Sequence, residues 1–251
     1  MTDSDGGKRM TLGEHLEELR SRIIRCLLGT TVGFVLTFIW TDKVMWFLSR
    51  PLVPAMEKYP DQIKLINSTP AGAFVASMKI AFFAGLILAS PYILHHIWAF
   101  VAAGLYRHER RSVKYYALPG FVLFFAGACL AYFFVLPWAL NFLIRWAVEE
   151  TGLTSLLTLN SYVSLVAWSM FVFGLVFQLP LIMVFLMRLG VVEPDTFRRY
   201  RRHSIVTAFA VAMILTPPDV ITQVALAGCM TLLYEGAILV GRRVAQPRRE
   251  E

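Results

Sequence analysis

Few side chains in this sequence stand where they could do chemistry, and the most informative is Glu109. It lies in residues 105–114, reading LYRHERRSVK, among Arg107, Arg110, Arg111 and Lys114 and between two long apolar runs. The cations have a simple meaning: basic loops resist translocation and hold that side of a membrane protein in the cytoplasm. The carboxylate has two readings, a local ion pair or an acidic receptor point for a cationic partner. Gln178 is a second candidate, because an amide at bilayer depth needs a hydrogen-bond partner, inside the bundle or on a partner helix. His95 and His96 are adjacent, so they do not share a helix face as metal ligands four residues apart would. The spans contain no HExxH, no GxSxG and no Ser/His or paired-Asp arrangement, which argues against an intramembrane enzyme. Cys26, Cys129 and Cys229 each sit in an apolar run without metal spacing and read as small packing residues. No cofactor is indicated.

The elements that position these groups are membrane helices. The 251 residues are 57% hydrophobic and only 16% charged, with a mean hydropathy of +0.59. Soluble domains rarely combine so few charges with apolar runs of about 20 residues, the length that spans a bilayer core. The net charge of +7 is not a nucleic-acid signal. On the spans read below, 18 of the 24 Lys and Arg fall on one side, the asymmetry that sets topology.

The expected fold is an all-α integral membrane protein with six transmembrane helices, both termini inside, in one membrane domain. Residues 1–9 read as a flexible polar tail, with no signal peptide to be removed. Residues 10–22 read as a cytoplasmic amphipathic helix along the interface, opened by a Thr11/Glu14 capping box, with Glu18 and Arg22 in the favoured i,i+4 order. The first span is residues 23–40, and its Gly29/Gly33 GxxxG permits close approach of another helix. Residues 41–72 form a segment on the opposite face, with a short helix starting at a proline near Pro51. The second span, residues 73–100, should tilt and be kinked by Pro91, with Lys79 snorkelling to the interface. The third is residues 116–136, followed by an outer segment to residue 159. The fourth, residues 161–187, should kink at Pro180. The fifth, residues 204–216, and the sixth, to residue 240, are expected to be short, followed by a basic tail from residue 241. No internal repeat is visible.

Four stretches in order on this frame resemble the TatC family, the core membrane subunit of the twin-arginine protein translocase. They are His15-Leu-Glu-Glu-Leu-Arg20, Arg50-Pro51-Leu52, Trp98-Ala99-Phe100 leading to Leu105-Tyr106-Arg107-His108-Glu109-Arg110-Arg111, and Leu215-Thr216-Pro217-Pro218-Asp219. The resemblance implies a receptor for signal peptides with consecutive arginines, in a Sec-independent system that exports folded proteins across the cytoplasmic membrane using the proton-motive force. It implies TatA/TatB-type single-span partner subunits, self-association, and no cofactor or nucleic acid. It assigns Glu18 and Glu109 to the signal-peptide site, with Arg20 and Phe100 linked to it. Met213 and Thr216 match positions near which partner subunits dock, and Pro51 a sensitive place in the outer segment. Gln178 departs from members that carry Glu. A rival reading, a proton-coupled small-solute transporter, would need midplane ionisable groups lining a cavity.

Overall fold

The computed structural model describes residues 12–59, 63–67, 69–104, 116–150, 155–216 and 219–244. Among them, five helical stretches are long and apolar enough to cross a membrane: Gly13–Ile39, Gly72–Ala103, Ala117–Glu149, Leu159–Arg188 and Val220–Val244. Large apolar side chains such as Leu27, Val32, Leu118, Phe134 and Leu232 stay exposed on their outer faces, as expected of helices whose solvent is lipid.

Helix α1, Leu12–Ile39, is continuous. Residues 12–22, expected as an amphipathic helix, thus run on into the helix of the first span without a break. Nothing in the sequence breaks the helix there, since no Gly or Pro falls between Glu14 and Arg25. Thr11 of the expected capping box lies outside the described residues. Helix α2, Thr41–Ser49, a 3₁₀ turn Arg50–Leu52 and helix α3, Val53–Lys58, follow.

Helix α4, Gly72–Ala103, contains Pro91 without interruption. Its contact with α1 rests on glycines. A Cβ on Gly33 would lie 2.5 Å from the Gly85 carbonyl oxygen, and one on Gly85 would lie 2.6 Å from the Phe34 nitrogen. Only glycine lets the two backbones approach so closely. Thr37 Oγ1 bridges them, donating to the Ala81 carbonyl at 2.7 Å.

Beyond Tyr116 the chain is helical to Glu150, as α5, Ala117–Leu130, a π segment Ala131–Val135, α6, Leu136–Arg145, and a second π segment Trp146–Glu150. This corrects the expected end of the third span at residue 136. The wide π turn before Pro137 carries the helix past a residue that has no N–H. Leu136, Ala139, Leu140 and Ile144 then bury one face of α6 against Leu52, Tyr132 and Tyr162.

Two four-residue strands, β1 (Ile63–Ile66) and β2 (Ser155–Thr158), pair in parallel, Ile63 opposite Ser155. The Tyr59 hydroxyl donates to Glu149, whose other oxygen accepts from Arg145 Nε at 2.7 Å. Helix α7, Leu159–Val176, is capped by Thr158, whose Oγ1 accepts from the Ser161 amide. It breaks at Phe177–Gln178, and α8, Leu179–Arg188, restarts with Pro180 in its first turn. The kink expected at Pro180 is thus a two-residue turn at Phe177–Gln178, whose backbones both stay in the helical region.

Helix α9, Pro194–Arg199, fills part of what reads as a loop, with proline at its start. Helix α10, Arg201–Leu215, has 15 residues, about 22 Å. Helix α11, Val220–Val244, has 25, so the expectation that the last helix is short is corrected. Arg242 and Arg243 lie in its last turn, where cations complement the helix dipole, and Arg242 reaches Asp195 at 3.3 Å. At its start, Asp219 accepts from the Thr222 amide at 2.7 Å and from the Thr222 hydroxyl. Trp168 Nε1 ties the end of α10 to α7 through the Leu215 carbonyl, at 2.6 Å.

Candidate functional site

Where α1 begins and α4 ends, the two helices share a set of polar and aromatic side chains. Glu18 is half-buried on α1. One turn on, Arg22 directs Nε at 2.7 Å and Nη2 at 2.6 Å to Glu18 Oε1. Its remaining nitrogen, Nη1, donates at 2.9 Å to Nδ1 of His96 on α4. Because a guanidinium has no acceptor, His96 accepts, which leaves its ring proton on Nε2. His96 is buried, with the Tyr92 ring set edge-on at 4.4 Å. One turn before Glu18, the His15 ring stacks on Phe100 at 4.5 Å, with Gly104 beside it.

The helix periods explain the grouping. His15, Glu18 and Arg22 lie at i, i+3 and i+7 on α1, and Tyr92, His96 and Phe100 at i, i+4 and i+8 on α4, so each set makes one stripe. The close approach at Gly33 and Gly85 holds the two stripes face to face. The structure thus brings Glu18 and Phe100 into one region, while Arg20 is exposed on α1. Glu109, with the whole stretch 105–115, lies outside the described residues.

His96 and Arg22 were not singled out by reading the sequence. In the sequence the adjacent histidines raise only the question of metal ligation, and Arg22 shows only as an i,i+4 partner of Glu18. The available signal is the aromatic stripe Tyr92, His96 and Phe100 at helical spacing near an inner end.

The other expected residues lie apart from this cluster. Gln178 is 8% exposed, and its Nε2 donates to the Gly120 carbonyl on α5 at 2.8 Å. Its side-chain N–H thus has a partner inside the bundle. Met213 is 67% exposed on α10, beside Ile214 and Val206. Thr216 turns its hydroxyl back to the Ala212 carbonyl at 2.8 Å. Pro51 is buried in the 3₁₀ turn, next to a segment held by Tyr162 and the Leu48 carbonyl at 2.6 Å. Lys79 does not only snorkel: its Nζ donates to Ser164 Oγ at 2.9 Å. Glu235 pairs with Arg201 at 2.6 Å.

A cavity of about 490 Å³ opens between α1, α2, α4, α5 and α7, lined among others by Thr37, Ile80, Ile87, Phe121, Tyr132 and Met170. No acidic or basic side chain is among its lining residues. Among the described residues, no group of three or more His, Cys, Asp or Glu is arranged to hold a metal ion.

Comparison with known proteins agrees with the fold. The profile of the family described as Sec-independent protein translocase protein (TatC) matches residues 14–228. The Sec-independent protein translocase protein TatC of Magnetococcus marinus is 37% identical, over 98% of this chain and 89% of that protein. The protein of the same name from Escherichia coli K12 is 36% identical, over 91% and 86%. A crystal structure described as the twin arginine translocase receptor TatC superposes with a TM-score of 0.80 at 35% identity, covering 92% of this chain and 99% of that one. With the profile spanning most of the sequence and the fold matching throughout, the chain belongs to the TatC family.

Proposed function

We propose that this protein is the twin-arginine signal-peptide receptor and core scaffold of a Sec-independent translocase in the cytoplasmic membrane. The observation that carries the proposal is that Glu18, at the position expected for the receptor acid, already holds a guanidinium. Its carboxylate accepts from Arg22 at 2.6 and 2.7 Å, half out of water. A site built this way suits arginine, whose planar fork presents several donors at once, better than lysine, a point charge. Glu109 is the second acid in this reading, and Arg20 and Phe100 flank the peptide.

The remaining parts follow the same reading. In this reading helix α10 is the sixth span, both termini lie on one side, and the basic loops make that side the cytoplasmic one. At about 22 Å it is shorter than the hydrocarbon core, so the bilayer thins beside it. Its exposed Met213 face receives a single-span TatA/TatB-type subunit, with Thr216 at the edge of the contact. The solute-transporter alternative finds little support in the apolar lining of the cavity, which offers no carboxylate for proton coupling.

Binding of a labelled twin-arginine signal peptide and its twin-lysine counterpart to the purified protein tests the proposal. The arginine peptide should bind more tightly. Replacing Glu18 or Glu109 with Ala should cost about 1.5–3 kcal/mol, roughly ten- to a hundredfold. Equal binding of both peptides, unchanged by either substitution, would reject the receptor reading.

A further inference from the structure

The Glu18 carboxylate is occupied in the protein itself. Arg22 places two of its three nitrogens on Oε1 and spends the third on His96, and the paired side chains are only 19% and 26% exposed. An exposed i,i+4 pair exchanges its partner for water at little cost. This one is largely out of water and has a second anchor on another helix, so an incoming arginine meets a carboxylate already engaged through Oε1.

We propose that Arg22 is an internal stand-in for a signal-peptide arginine, displaced from Glu18 when the peptide binds and retained by His96. This rests on the receptor reading above and adds the regulation of that site. Two guanidinium groups on one partly buried carboxylate would repel each other at close range, so exchange is favoured over sharing. The displaced side chain is not stranded. His96 Nδ1 already accepts from Arg22 Nη1, and the guanidinium needs only to swing away from Glu18 about that contact.

The stand-in lowers the affinity of every ligand that needs the Glu18 carboxylate by the same factor. It therefore leaves the ratio between arginine and lysine peptides unchanged. Its effect is on the threshold: it pushes weak cationic ligands below the concentration at which they would occupy the receptor.

Equilibrium binding of the twin-arginine and twin-lysine peptides to the wild-type protein, Arg22→Met, Arg22→Lys, Glu18→Gln and the double variant Glu18→Gln/Arg22→Met tests this. Arg22→Met should tighten both peptides about three- to tenfold, roughly 0.6–1.4 kcal/mol, with their ratio preserved. Arg22→Lys keeps a cation beside His96 and should tighten both by a smaller factor, which guards against misfolding of the methionine variant. In the Glu18→Gln background, Arg22→Met should give no tightening. Wild-type or weaker binding by both Arg22 variants would overturn the stand-in role, as would tightening that persists without the Glu18 carboxylate. Failure of the receptor reading looks different: Glu18→Gln would then leave peptide binding unchanged in the wild-type background.

Discussion

Helices α1 and α10 both lie at the edge of the molecule, and they are attached in different ways. Helix α1 meets α4 along almost its whole length, backbone against backbone at Gly33 and Gly85, with Thr37 and Arg22 bonding across. Helix α10 buries only Ala208 and Ala212, and is held at its ends, by Arg201 to Glu235 and by Trp168 to the Leu215 carbonyl. Small residues in α1 make a permanent seam that fixes a polar cluster. Ala212 packs with Leu226 and Ala227 of α11, while the outer face of α10 is left apolar and uncovered, with Val206, Met213 and Ile214 outward. A fixed frame suits recognition of a peptide by a few oriented groups, whereas an end-pinned helix suits a partner that completes the packing.

The contrast can be broken at its strongest point first. Gly33→Leu should force α1 away from α4 and destabilise the protein by about 3 kcal/mol, the upper range for overpacking, read as a lower thermal midpoint in detergent. Peptide binding should fall with it, since the contacts of His15 with Phe100 and of Arg22 with His96 across the two helices would be lost. A variant as stable as wild type would show that the seam is not the frame. Gln178→Leu, which removes the bond to the Gly120 carbonyl inside the bundle, should cost about 1–2 kcal/mol, measured by the same unfolding. Asp219→Ala removes the cap of α11 and should cost about 1 kcal/mol, loosening the hairpin with α10 and leaving the α1 cluster intact. The smallest effect on stability belongs to Met213→Ala, within about 0.5 kcal/mol for an exposed site. That substitution should instead weaken capture of a single-span partner in co-purification; an unchanged yield would remove Met213 from the contact.

How much of this was legible depends on range. The glycine pair at 29 and 33 announces close approach, but its partner Gly85 is more than fifty residues away and carries no mark of its own in the sequence. The Glu18–Arg22 pair is visible as a four-residue spacing, whereas its anchor at His96 arises only once the seam sets the two helices in register. Pro137 reads as a helix end because proline lacks a donor, and the π turn that carries the helix past it has no sequence signature of comparable strength. Gln178 shows the limit of depth arguments. Its position called for a hydrogen-bond partner, but only the packing of α5 against α7 and α8 identifies the Gly120 carbonyl as that partner.

The pairing of β1 with β2 has a consequence for how the chain is made. Ile63 and Ser155 stand about ninety residues apart in sequence yet sit opposite each other, and Lys58 and Tyr59 also wait for Glu149. At a synthesis rate of about 5–20 residues per second, the first segment emerges roughly 5–18 s before its partner exists. During that interval α1 and α4 can already close on their glycines, because both lie within the first 103 residues. Assembly therefore has a built-in order, with the recognition frame set early and the far end of the molecule laced shut only after the chain has passed through α5 and α6.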